Sequence, residues 1–111
     1  MRRPPFGAVI VAAGSGTRMG RAKQFLPLLG RPVVEWSLET FLSIPEARRI
    51  ALVMTPEDCR RHGPRLAGGR VRIVKGGATR MASVRNGVST LGRDMSLVAI
   101  HDGARPLVTP E

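Results

Sequence analysis

An α/β fold, with a mostly parallel sheet and helices on both faces, is predicted by three features of this 111-residue chain. Four short apolar runs alternate with segments of helical periodicity, in the order strand, helix, strand, helix, strand, helix, strand. The runs are continuous rather than alternating apolar and polar, as expected of strands covered on both faces. The glycine-rich and charged stretches fall directly after the first, third and fourth runs, where open α/β sheets bind ligands. The length allows one domain at most, with one modest core.

The first strand is Ala8-Val9-Ile10-Val11. Together with Met1-Arg2-Arg3 it resembles a signal peptide only faintly. The apolar part, Phe6 to Ala13, is barely long enough, and Gly14 to Lys23 makes a poor cleavage region. The next stretch organises the chain: Ala12-Ala13-Gly14-Ser15-Gly16-Thr17-Arg18-Met19-Gly20-Arg21-Ala22-Lys23-Gln24. Its three glycines let the backbone turn tightly and approach a ligand closely. Arg18, Arg21 and Lys23 add fixed cations, so exposed N–H groups and positive charge share one loop, as a polyphosphate requires. The spacing is not that of a dinucleotide fingerprint, because Met19 stands where a third glycine belongs. Nor is it a Walker loop, because Arg21-Ala22 follows Gly20. An ordinary strand-to-helix connection with solvated charges is the plain alternative.

Phe25-Leu26-Pro27-Leu28-Leu29-Gly30 is apolar and is expected to pack the loop onto the body. A helix is expected over residues 32–43. Pro32 suits its first position, Glu35 complements the dipole, and Val34, Leu38, Phe41 and Leu42 recur on one face before Pro45 ends it. Trp36 is expected to be a packing residue. The second strand is Ile50-Ala51-Leu52-Val53-Met54. Thr55-Pro56-Glu57-Asp58 then carries a helix start, with a capping hydroxyl, a first-position proline and early acids. This helix should be short and arginine-rich, broken at Gly63-Pro64. Its Cys59 has Arg60 and Arg61 beside it, which would depress the thiol pKa, although a lone helical cysteine is usually inert.

Val71-Arg72-Ile73-Val74 is the third strand, followed by Gly76-Gly77. A helix begins at Thr79 and stops at Gly92. Met81, Val84, Val88 and Leu91 share one face, while Arg80, Ser83 and Gly87 line an adjoining face that by default would be solvated. The fourth strand, Leu97-Val98-Ala99-Ile100, runs into His101-Asp102-Gly103-Ala104-Arg105-Pro106. Asp102-Gly103 is compatible with a simple turn. His101 is expected to orient Asp102.

Composition narrows the function classes. Lys and Arg total 18 against 8 Asp and Glu, a net charge of +10, which favours polyanionic ligands or nucleic acid without naming either. The aromatic residues Phe6, Phe25, Trp36 and Phe41 are too few for a single-strand stacking surface. No apolar run approaches a membrane span. One cysteine excludes an intrachain disulfide and suits a reducing compartment. Lys23 and Lys75 are the only lysines, so a lysine inside the glycine loop suggests a compact point charge is wanted there.

Three motifs together resemble the cytidylyltransferases. They are the 12–20 loop with Lys23-Gln24-Phe25; Gly76-Gly77-Ala78-Thr79-Arg80 with Ser83-Val84 and Asn86-Gly87; and His101-Asp102-Gly103-Ala104-Arg105-Pro106. All three stand in family order, and the wording is most similar to the 2-C-methyl-D-erythritol 4-phosphate cytidylyltransferase family. The resemblance covers essentially the whole chain but only about the first half of that enzyme. It implies a Rossmann-like nucleotidyltransferase fold, truncated after about the fourth strand, with residues 1–111 as the N-terminal, CTP-binding part of a single domain.

It also implies the chemistry. CMP passes from CTP to 2-C-methyl-D-erythritol 4-phosphate with release of pyrophosphate, in non-mevalonate isoprenoid biosynthesis. Arg18 and Lys23 resemble the cations that stabilise the transition state, and Asp102 the ligand of Mg2+. Gly77, Ala78 and Ser83 resemble cytosine contacts. Ala12, Ala13, Gly14, Ser15 and Gly16 resemble backbone contacts to the nucleotide. Arg105 resembles a phosphate contact, and Arg80 a bracing residue. The family further implies a cytoplasmic homodimer with no nucleic-acid or membrane partner. Two departures matter: the loop between Met19 and Lys23 is short, and the family's remaining strands, dimerising arm and acceptor-binding residues would follow Glu111. The chain is therefore expected to be a fragment that binds CTP weakly and turns over little. Ribitol 5-phosphate cytidylyltransferase, a sugar-phosphate nucleotidyltransferase and a non-catalytic basic nucleic-acid-binding module are the alternatives.

Overall fold

The computed structural model describes residues 4–13, 27–28, 31–92, 95 and 97–102. Its centre is a four-stranded sheet, all parallel, built from β1 (Phe6–Ala12), β4 (Ala47–Met54), β5 (Val71–Lys75) and β6 (Val98–Asp102). Between β1 and β4 the chain forms a small antiparallel pair, β2 (Pro27–Leu28) and β3 (Arg31–Pro32), and then α1 (Val33–Leu42). Helix α2 (Pro56–Leu66) links β4 to β5, and α3 (Arg80–Leu91) links β5 to β6.

Spatial strand order is β5-β4-β1-β6. The chain therefore builds outward from β1 through β4 to β5, then returns to the other side of β1. Strand order reverses between β1 and β6, the position at which such sheets open a crevice at their carboxyl edge.

Side chains alternate across the strands and divide the core in two. Ala8, Ile10, Ala12, Ile50, Leu52 and Met54 face α1 and α2, meeting Val34, Leu38 and Phe41. Val9, Val11, Ala51 and Val53 face α3, meeting Leu91 and the half-buried Val84. The helices cover both faces, as the continuous apolar strands predict.

Three details differ from the sequence expectations. Helix α3 buries Ser83, Gly87 and Leu91, whereas Met81 is 71% exposed and Val88 38%. The reason is Gly87: a Cβ there would lie 2.6 Å from Val9 Cγ1 and 2.9 Å from Val53 Cγ2, so the helix seats on its smallest residues. Helix α2 runs through Pro64 to Leu66 instead of breaking. Pro64 falls in the last turn, and the Ala67 N–H still donates to the Gly63 carbonyl at 2.8 Å, closing the end. Strand β4 starts at Ala47, ahead of the apolar run, because Ala47 and Arg49 pair with Phe6 and Gly7 of β1; the Arg49 side chain donates to the Leu91 carbonyl at the end of α3. Past the end of α1, Arg70 donates to the carbonyls of Leu42, Ile44 and Ala47, and that of Leu42 is an acceptor the helix terminus leaves open.

Candidate functional site

The four parallel strands end level with one another. Ala12 pairs with Met54, Met54 with Lys75, and Val11 with Asp102. The exits of β1, β5 and β6, each carrying one of the unusual sequence stretches, thus lie along one edge of the sheet.

The loop after β5 is held closely. The Gly76 N–H donates to the Met54 carbonyl at 2.8 Å, extending the strand ladder by one residue. The Gly77 N–H donates to Ser83 Oγ at 3.0 Å, and Asn86 Nδ2 donates to the Lys75 carbonyl at 3.1 Å. A Cβ on Gly76 would stand 2.5 Å from the Ala13 Cβ and 2.9 Å from Ser83 Oγ. The exit of β1, the β5 loop and the first turn of α3 are therefore in direct contact at Ala13, Gly76 and Ser83. Thr79 caps α3 by accepting the Ala82 N–H at 3.0 Å, and Thr55 caps α2 by accepting that of Asp58 at 3.1 Å. Both helices begin at this edge, with their positive dipole ends beside it.

Among the sequence-predicted site residues, Ala12, Ala13, Gly77, Ala78, Ser83 and Asp102 are described, and all belong to the strand-end edge or the loop and turn built on it. Ala12 and Ser83 are buried; Ala13 and Asp102 are half-buried; Gly77 and Ala78 are exposed. Arg80 is exposed at the start of α3. Gly14, Ser15, Gly16, Arg18, Lys23 and Arg105 lie outside the described residues.

His101 does not share a face with Asp102. Its Nε2 lies 3.0 Å from Ser37 Oγ, and its ring meets Phe41 edge-on at 5.8 Å, both on α1. Strand alternation directs Asp102 to the other face. The His101 ring is thus held by α1. Cys59 also departs from expectation: burial raises its thiol pKa above the ordinary value and outweighs Lys75. The thiol points at the Met54 and Val74 carbonyls, 3.7 and 3.6 Å away.

Two contributors had weak sequence signals. Asn86 stood in a recognised motif without a role. Ser37 occupies the i+3 position of the Val34, Leu38, Phe41 stripe, and a polar residue inside an apolar stripe is the signal that marks it. No helix among the described residues is long and apolar enough to cross a membrane.

Known proteins resemble this chain both in sequence and in fold. The sequence model of a family described as 2-C-methyl-D-erythritol 4-phosphate cytidylyltransferase matches residues 6–111. The chain is 50% identical to the enzyme of that name from Cereibacter sphaeroides, over 94% of this chain and 48% of the relative. It is 42% identical to the one from Caldanaerobacter subterraneus, over 94% of this chain and 49% of the relative. A crystal structure of 4-diphosphocytidyl-2C-methyl-D-erythritol synthase from Anaerococcus prevotii superposes with a TM-score of 0.80 at 33% identity, covering 96% of this chain and 46% of that one. The chain spans about half the length of the curated relatives it matches.

Proposed function

The chain belongs to the 2-C-methyl-D-erythritol 4-phosphate cytidylyltransferase family, and from that membership we propose that residues 1–111 are the N-terminal, CTP-binding part of a single cytidylyltransferase domain. The reaction is transfer of CMP from CTP to 2-C-methyl-D-erythritol 4-phosphate, with pyrophosphate leaving. One observation carries the proposal: the β1 exit, the Gly76-Gly77 loop and Asp102 share one sheet edge beside the strand-order reversal.

Each residue has a task in this reading. Backbone groups of Ala12, Ala13, Gly14, Ser15 and Gly16 cradle the nucleotide. Ser83 accepts from the Gly77 N–H, which leaves its hydroxyl hydrogen to donate. Cytosine offers acceptors at N3 and O2, whereas uracil presents N–H at N3, so Ser83 beside Gly77 and Ala78 favours the cytosine edge. The acceptor phosphate attacks the α-phosphorus in line. Charge then grows on the equatorial oxygens and the leaving pyrophosphate, and Arg18 and Lys23 meet it, with Arg105 on the phosphates.

The donor chemistry at Asp102 suits Mg2+. It offers a half-exposed hard carboxylate, and among the described residues no cluster of three or more His, Cys, Asp or Glu forms a closed cage. Magnesium takes one or two carboxylates and completes its shell with phosphate oxygens and water. When bound, the ion supplies neutralisation of triphosphate charge. A homodimer and a cytoplasmic setting complete the proposal; the single cysteine suits a reducing compartment.

A product assay tests the reading. With CTP, Mg2+ and either methylerythritol 4-phosphate or ribitol 5-phosphate, a protein containing this chain within a full-length family sequence is expected to form the methylerythritol product and pyrophosphate. Lys23→Ala is expected to lower kcat by at least about a hundredfold, the scale of losing one preorganised charge partner. Preference for ribitol 5-phosphate, or unchanged kcat in the variant, would contradict it.

A further inference from the structure

We infer that Ser37, which lies in none of the three strand-end motifs, is a positioning residue for the Asp102 carboxylate, acting through the His101 ring. The inference rests on the assignment of Asp102 as the Mg2+ ligand. Asp102 is the last residue of β6, and β6 pairs through its backbone with β1 alone among the described strands. On the α3 side β6 is poorly covered, with Val98 37% and Ile100 49% exposed. One side-chain hold at its tip is on the α1 side. There the His101 ring is gripped by two residues one helical turn apart, Ser37 through its hydroxyl and Phe41 through its ring.

Both grips are buried. Ser37 is fully buried and Phe41 is 5% exposed. The Ser37–His101 contact is made by a fully buried hydroxyl at 3.0 Å, so it is no chance surface approach. A serine hydroxyl can donate or accept, so the bond forms with either ring tautomer. His101 is covalently next to Asp102, so anchoring its side chain to α1 restrains the strand tip from which the carboxylate projects. A metal ligand must be held to within about 0.5 Å. Helix α1 follows β3 directly and so ties the chain leaving the glycine loop to the tip that carries Asp102.

The test is titration of the full chain with Mn2+ in the presence of CTP, read by electron paramagnetic resonance, beside CTP affinity in EDTA and melting temperature. Ser37→Ala, Ser37→Thr, His101→Phe and Asp102→Ala are compared with the unsubstituted protein. The inference expects Ser37→Ala and His101→Phe to weaken Mn2+ roughly tenfold, the low end for outer partners of metal ligands, with metal-free CTP affinity unchanged. Ser37→Thr should recover most of the affinity. Mn2+ affinity unchanged in a folded Ser37→Ala or His101→Phe, with Asp102→Ala weakened, overturns the inference alone. An unaffected Asp102→Ala overturns the metal assignment and the inference with it. If neither Ser37→Ala nor His101→Phe folds, the pair serves the fold rather than the carboxylate, and the inference is likewise overturned.

Discussion

Ser83 accepts the Gly77 N–H on its Oγ at 3.0 Å and is 2% exposed. Ser83→Ala removes an acceptor for that N–H and the donor assigned to the cytosine edge. Loss of such a bond costs about 1–2 kcal/mol, so CTP affinity measured by calorimetry should fall roughly tenfold, with the preference over UTP reduced. An unchanged CTP-to-UTP ratio would remove Ser83 from base selection. Cys59 makes an opposite prediction. Because burial raises its pKa, the folded thiol should react with iodoacetamide at pH 8 more slowly than after unfolding in urea. The sign for stability follows: the favourable protonated state is fully present below the unfolded pKa and is lost as pH rises through the folded one. Ser83 and Asp102 stood out as candidates in the sequence because they sit in motifs. The burial of Cys59 was not legible there, since it comes from packing against core residues that only the fold brings near.

Helix α3 is the element on which the sequence misled. Periodicity favoured Met81, Val84, Val88 and Leu91 as its buried stripe, because apolar size is what periodicity counts. The helix instead rests on Ser83, Gly87 and Leu91, since close approach to Val9 and Val53 favours small residues at the contact. That close seat also brings Ser83 and Asn86 within reach of the β5 loop. Gly87→Leu should therefore act twice. It should destabilise the fold by about 3 kcal/mol in urea unfolding, the upper range for overpacking, and it should loosen the Gly76-Gly77 loop and weaken CTP binding. A variant as stable as the parent would contradict this packing account. Pro64 suggested an early end to α2, but its missing N–H forfeits only the bond to the Arg60 carbonyl, and the helix continues to Leu66.

At the scale of the whole molecule, alternation of apolar strands and helices was enough to predict a parallel sheet with both faces covered. The strand order was not legible, because runs such as Ala8-Val9-Ile10-Val11 and Ile50-Ala51-Leu52-Val53-Met54 are equally apolar and carry no mark of their neighbours. Observed order places β1 between β4 and β6, so the reversal falls between the glycine-loop strand and the Asp102 strand. That arrangement converts three separated motifs into one candidate site.

The central claim is that these strand ends hold a single nucleotide. The direct measurement is backbone amide NMR of the chain, 12.0 kDa, during titration with CTP and Mg2+. The account predicts that the amides of Ala13, Gly76, Gly77, Ser83 and Asp102 shift together on one saturation curve, while those of Leu66 and Arg70 stay still. Saturable shifts confined to α2, or no shifts at the strand ends in the folded protein, would contradict it.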